Sequence, residues 1–264
     1  MRVTSCAAPT AVRNVPSFGR VALRDGHSGP DPPARREYGL ILLENRGLLI
    51  AIEGIDGSGK STQATQLSRL LEGAGFVTEV TREPTAGQYG LELRRSARAG
   101  RLPRERELEL FMLDRREHVE ACIEPALQRG EIVITDRYYF STVAYQGARG
   151  FEHTQLLRDN EAIAPKPDLL CVIDLPVQLA VERIEQGRRE TRTAFEQTAM
   201  LTTCRDIFLG LAETTPCGVV IDGEQSPELI TQRIAMALLE GPLSSHLGRL
   251  GEADREAVVS ALLR

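Results

Sequence analysis

Long hydrophobic runs are missing from this 264-residue chain. No apolar stretch approaches the roughly 20 residues that a membrane-spanning helix needs. The N-terminus shows no secretory hydrophobic stretch followed by a small-residue cleavage site. Cysteine is scarce and odd in number: Cys6, Cys122, Cys171, Cys204 and Cys217 lie far apart. They form no CxxC pair and no Cys/His cluster at zinc spacing, and the four histidines are scattered. A disulfide framework and a zinc module are thereby excluded, and free thiols in a reducing cytoplasm are expected. Positive charge is not in excess either, since 32 Lys and Arg face 37 Asp and Glu for a net charge of −5. That balance gives no general drive toward nucleic acid or an anionic membrane, so neither is expected as a partner. Any anion site must come from local placement of Arg side chains and backbone N–H groups. No internal repeat is present.

What the chain does have is an ordinary globular composition, 42% hydrophobic and 26% charged, enough for a sizeable core. Residues 1–45 differ from the rest: Pro9, Pro16, Pro30, Pro32 and Pro33 fall among Gly, Ser and scattered Arg without periodicity. This segment reads as a disordered extension or as translated sequence upstream of the true start. A targeting peptide is a further reading, suggested by Arg13, Arg20 and Arg24 and opposed by Asp25, Asp31, Glu37 and the prolines.

Residues 46–240 read as one regular domain. "LLIAIEG", "FVTEVTREP", "EIVITD", "DLLCVID" and "GVVID" are strands. "STQATQLSRLLEGAG" is a helix with Ala64, Leu67 and Leu71 on one stripe, and "PRERELELFMLDRREHVEACIEPALQRG" is one long helix. Short apolar strands alternating with helices predict a parallel sheet covered on both faces with right-handed crossovers. Residues 241–264 form a C-terminal extension with room for one more short helix.

Two stretches carry chemistry. "GIDGSGKS", Gly54 to Ser61, fits GxxxxGK[ST] between a predicted strand and a predicted helix, the context that makes this pattern specific. Gly54, Ile55, Asp56, Gly57, Ser58 and Gly59 would turn backbone N–H groups inward around the phosphates of ATP. Lys60 would place its charge on the β/γ oxygens, Thr62 would sit in the same cradle, and Ser61 would offer its hydroxyl to Mg2+. The helix N-terminus adds partial positive charge. Asp136, closing "EIVITD", suits a second contact to the metal or its waters, or else holds Arg137 structurally. The second stretch is "DRYYFSTVAYQG", residues 136–147, in which Ser141, Thr142, Tyr145 and Gln146 stand three or four apart and can face one spot. Phe111 and Arg115 share a helix face, as a base sandwich would require, although a core Phe and a solvated Arg would show the same spacing.

Together, "IAIEGIDGSGKSTQ", "TREP", "LFMLDRREH", "DRYYFSTVAYQG" and, more weakly, "PKPDLLCVIDLP" resemble the thymidylate kinases, in order and spacing, over about three quarters of the chain. The resemblance implies an α/β P-loop NTPase fold, a five-stranded parallel sheet with helices on both faces and a short lid. It implies transfer of the γ-phosphoryl group of ATP to dTMP, with Mg2+ as cofactor, in a homodimer whose interface the long helix could supply. By the same resemblance Phe111 stacks on thymine, Arg115 bonds a base carbonyl, and Thr142, Gln146 and Ser141 complete the polar recognition. Tyr145 packs where a 2′-hydroxyl would need room, Arg94 and Arg137 hold the dTMP phosphate, Glu83 lies near the sugar, metal or phosphate, and Asp56 faces the acceptor.

The chemistry agrees. An acceptor phosphate with a second pKa of about 6 is already ionised near neutral pH. It needs cations rather than a general base, and none of the four histidines is read as belonging to any of these motifs. Two departures from the family pattern stand out. Thr85 and Ala86 replace the glycines of the usual "REPGG", changing the sugar-side loop. Gly57 leaves no Arg in the phosphate loop, which implies a catalytic lid Arg among Arg188, Arg189 and Arg192, although Ala194 breaks the lid pattern and a merely solvated basic loop is the alternative. A kinase for UMP, CMP or AMP, or a P-loop ATPase switch, are the rival readings, the GTPase form of the latter weakened by the absence of NKxD.

Overall fold

The computed structural model describes residues 41–187 and 194–263. Five parallel strands form one sheet: β1 (Leu48–Glu53), β2 (Thr78–Arg82), β3 (Ile132–Asp136), β4 (Leu169–Asp174) and β5 (Gly218–Asp222), in the order β2-β3-β1-β4-β5. All five expected strands are present, and the three central ones are the continuous apolar runs, buried on both faces. In β1, Leu49 and Ala51 point into one core while Leu48, Ile50 and Ile52 point into the other.

Helices cover both faces. On one side lie α1 (Lys60–Gly73), α9 (Pro227–Glu240), α10 (Ser244–Leu247) and α11 (Glu252–Leu262). Ala64, Leu67 and Leu71 of α1 are buried there, as their spacing predicts. The other face is covered by α4 (Glu124–Gln128), α5 (Tyr139–Gly147), α6 (His153–Glu161), α7 (Val177–Gly187) and α8 (Ala194–Thr214). Two further helices, α2 (Gln88–Ala99) and α3 (Arg104–His118), pack on each other.

Three details differ from the sequence reading. The long helix is not uniformly α-helical: Val119–Ile123 forms a π turn between α3 and α4. Pro125 explains it, because a proline inside an α-helix lacks an N–H and its ring crowds the carbonyl four residues earlier. Helix α2 was not expected; in its run "QYGLELRRSARA" Leu93 is buried while Leu91 is exposed. Packed chain also begins ahead of position 46. The Ile41 N–H donates to the Gly75 carbonyl at 2.8 Å, the Leu43 N–H to the Gly130 carbonyl at 2.8 Å, and Leu43 is buried. At the other end Leu243, Leu247, Val258 and Leu262 join the core beneath α1. No helix among the described residues is long and apolar enough to cross a membrane.

Candidate active site

The phosphate loop runs from the end of β1 to the start of α1. Gly57 (φ 87°) and Gly59 (φ 96°) take left-handed conformations that other residues resist, and a Cβ on Gly57 would meet the Ala180 carbonyl oxygen at 2.6 Å. The Ser58 N–H donates to the Ile55 carbonyl at 3.2 Å, which closes the turn. Lys60 donates from Nζ to the carbonyls of Gly54 at 3.0 Å and Ile55 at 2.8 Å. Burial, reinforced by the nearby Arg137 charge, pushes the Lys60 ammonium down to about 8. Within the same loop the Ser58 hydroxyl is buried without a hydrogen-bond partner among the described residues, an uncommon and costly state. Ser61 and Thr62 stand exposed in the first turn of α1. The Ser61 hydroxyl donates to the Asp136 carboxylate at the end of β3, beside Ile52 of β1 in register. Asp136 thus meets the loop serine and not Arg137, as the structural alternative for it would have required.

Arg137 follows immediately, at φ 71°. A left-handed residue there breaks the strand and turns the chain into α5. Its guanidinium pairs with the Asp56 carboxylate, donates to Ser141 Oγ at 3.2 Å and lies 5.3 Å from the centre of the Tyr145 ring. The Tyr145 hydroxyl accepts the Asp56 N–H at 3.1 Å, and the ring stands edge-on to Phe208 at 6.2 Å. Donor loop and α5 are therefore joined through Asp56, Arg137 and Tyr145.

Glu53, the last residue of β1, was not singled out from sequence. It is buried, and its carboxylate accepts the Tyr138 N–H at 2.8 Å, the Ser141 N–H at 2.9 Å and the Ser141 hydroxyl at 2.6 Å. Burial raises the carboxyl to about 7, against the lowering effect of the Ser141 and Tyr138 hydrogen bonds and the Arg137 charge.

A second cluster gathers around Arg115. This guanidinium is fully buried, donates from Nε to Glu83 at 3.1 Å and from Nη2 to Thr142 Oγ1 at 3.1 Å, and also bonds Asn160 of α6. Glu83 in turn contacts His118 Nδ1 at 3.0 Å, and the other ring nitrogen lies 2.6 Å from Thr81 Oγ1. Burial alone would lower the His118 pKa, but hydrogen bonds to Cys122 and Glu83 and the Glu83 charge raise it to about 9. Burial likewise works against the Glu83 carboxylate, yet Arg115 and His118 hold it below the ordinary range. So a histidine does belong to the site's framework, in the very stretch "LFMLDRREH" that sequence singled out. Phe111, one turn before Arg115 on α3, is half-buried.

Other expected residues lie elsewhere. Arg94 donates to the Thr85 carbonyl at 2.7 Å and to the Pro84 carbonyl, bracing the loop after β2. That loop takes its shape from Thr85, whose N–H and hydroxyl donate to Asp114 at 2.8 and 2.6 Å. The departure from the family's glycines thus has its own clamp. Gln146 is buried and donates to Glu107 at 2.9 Å, and Glu107 is paired with Arg149 at 2.7 Å, so its amide belongs to a third cluster. Arg188, Arg189 and Arg192 lie outside the described residues. Of the residues that sequence passed over, Glu53 left a signal, a lone carboxylate closing an apolar strand, whereas Asn160 sits in an ordinary polar helix and left none.

A parallel sheet in this order, a glycine loop at the end of its central strand and a cationic turn opposite it set the frame for comparison. The thymidylate kinase profile matches residues 52–234. The chain belongs to the thymidylate kinase family. A thymidylate kinase of Xanthomonas campestris pv. campestris (strain B100) is 46% identical over 216 residues, covering 82% of this chain and 92% of that protein. One of Xylella fastidiosa (strain 9a5c) is 46% identical over 204 residues, 77% of this chain and 96% of that protein. One of Akkermansia muciniphila is 45% identical over 195 residues, 74% and 93% of the two chains. Membership of the thymidylate kinases fixes the reaction class as phosphoryl transfer from ATP to dTMP. What the family does not settle is how these particular side chains divide the work.

Proposed function

We propose that this chain makes dTDP and ADP from dTMP and ATP, with dTMP seated between the phosphate loop and α5. The observation that carries this reading is the position of Arg137, whose guanidinium touches Asp56 of the donor loop and Ser141 of the acceptor helix at once. A dianionic phosphate placed on Arg137 lies beside the loop that cradles the γ-phosphoryl group. Residues 54–62 take the ATP phosphates, with Lys60 leaving the Gly54 and Ile55 carbonyls to reach them. Phe111 offers its half-buried ring to thymine, and Arg115, aimed by Glu83, Asn160 and Thr142, offers its remaining N–H. Tyr145 lies beneath the sugar side and Gln146 supports the wall. Arg94 and Glu83 shape the loop over the phosphate. Arg188, Arg189 and Arg192 supply a lid cation to the transition state, where charge neutralisation is the main catalytic requirement.

Ser61 and Asp136 fit Mg2+. They bring two hard oxygen donors together at the mouth of the loop. Among the described residues no group of three or more His, Cys, Asp or Glu forms a metal cage. Mg2+ takes one or two protein carboxylates or hydroxyls and completes its shell with water and phosphate oxygens. When bound, Mg2+ neutralises charge on the β and γ oxygens. A homodimer through the long helix and a cytoplasmic setting complete the reading; the four described cysteines are free thiols, which accords with a reducing compartment.

The test is incubation with ATP, Mg2+ and, separately, dTMP, dUMP, UMP, CMP and AMP. Production of dTDP well above every other diphosphate is expected. Turnover of another monophosphate with no dTDP above background would refute the assignment.

A further inference from the structure

Helix α5 starts without a cap of its own: Tyr138, its N-cap residue, makes no side-chain capping bond. Orphan N–H groups at a helix start require acceptors, and here a neighbouring strand supplies them. The two oxygens of Glu53 collect the Tyr138 N–H, the Ser141 N–H and the Ser141 hydroxyl. Three donors converging on one buried carboxyl group favour its ionised form, against the burial that disfavours it. The Arg137 backbone is clamped at the same place, since its N–H donates to the Ile52 carbonyl at 3.0 Å. Glu53 therefore fixes two residues that follow Arg137: Tyr138, next in the chain, and Ser141, whose oxygen accepts from the guanidinium at 3.2 Å.

Arg137 thus has two carboxylates of different kinds. Asp56 pairs with it directly, from a loop side chain that is 45% exposed. Glu53 reaches it through the Ser141 hydroxyl and is buried. An incoming phosphate can replace an exposed partner at low cost, whereas a buried carboxylate holding two backbone N–H groups cannot leave without uncapping α5.

We propose that Glu53 is a positioning residue for dTMP: through Ser141 and the start of α5 it keeps the Arg137 guanidinium aimed at the acceptor phosphate, while Asp56 is the exchangeable partner that the phosphate displaces. This rests on the reading of Arg137 given above.

The experiment is calorimetric titration of dTMP and, separately, of ATP into wild type, E53Q, S141A, the E53Q/S141A double variant and R137K. Losing a hydrogen bond to a charged group predicts that E53Q and S141A each weaken dTMP binding by about tenfold. ATP affinity stays within about twofold, and the double variant loses little more than either single one, because both act in one chain of contacts. S141A keeps the two backbone N–H bonds to Glu53, so it reads the relay even if E53Q fails to fold. Unchanged dTMP affinity in S141A and E53Q alongside a loss in R137K would overturn this inference alone, as would equal losses for ATP and dTMP. Unchanged affinity in R137K would overturn the role given to Arg137 and this inference with it.

Discussion

Replacing Glu83 by Gln tests the buried charge cluster most sharply. In the wild type one carboxylate serves two cations, Arg115 and His118, with all three side chains nearly sealed from water. Glutamine keeps the volume and an acceptor but removes the charge. Breaking a buried ion pair from one side costs about 3–5 kcal/mol, and the retained carbonyl should hold the loss near the lower end. The pH dependence is more specific than the loss itself. His118 moves from an ordinary 6.5 to about 9 in the folded state. A raised folded pKa stabilises fully below the unfolded value and is lost as pH climbs through the folded one. The shift corresponds to on the order of 3 kcal/mol, an upper value for so buried a group. Lys60 titrates in the same window with the opposite sign, since its folded pKa is depressed to about 8 from 10.5. The wild-type curve alone is therefore ambiguous, and the difference between wild type and E83Q is the quantity to read. Urea unfolding from about pH 6 to pH 10 gives it through the linear extrapolation. The stability advantage of wild type is expected to shrink across that range by only part of that amount, because Cys122 also helps to hold His118 protonated. A difference that stays constant with pH would show that Glu83 does not hold His118 protonated.

Other outcomes follow from the same geometry. Lys60→Ala should cut kcat by about 100-fold or more while leaving the unfolding midpoint nearly in place, because its charge acts on the transition state; a near-normal rate would contradict the loop assignment. ATP binding near pH 8 should take up roughly half a proton as its phosphates restore the Lys60 charge, read as heats that differ between phosphate and Tris buffers; equal heats would contradict it. Asp136→Asn should raise the Mg2+ concentration needed for half-maximal rate several-fold, and an unchanged requirement would remove Asp136 from the metal site. Truncation after Glu240 strips Leu243, Leu247, Val258 and Leu262 from the core under α1, each worth about 1.5–3 kcal/mol of burial. A marked fall in Tm is expected, and an unchanged Tm would mean that the extension is not part of the domain.

The fold and the donor loop were legible because their signals are local. Each central strand is one unbroken apolar run, and the glycine loop needs only its own spacing and flanks. The acceptor side was legible in residue types and less so in partners. Arg115 looked like a base contact, but its guanidinium is mostly occupied by Glu83, Thr142 and Asn160, drawn from three elements far apart in sequence. Gln146 shares a helix with Ser141 and Thr142, yet its amide turns to Glu107 of α3. Periodicity places a residue on a face; it does not say which charge on the next helix will claim it. The π turn at Val119–Ile123 was written in Pro125, whose cost inside a helix could have been weighed against the reading of one unbroken helix.

The central claim is that Arg137 joins donor to acceptor. A crystal structure with dTMP and a non-hydrolysable ATP analogue tests it most directly. The guanidinium of Arg137 should leave the Asp56 carboxylate for the dTMP phosphate, with thymine against Phe111 and the Ser141–Glu53 contact intact. A dTMP phosphate bound away from Arg137, with the Asp56 pair unbroken, would contradict the account.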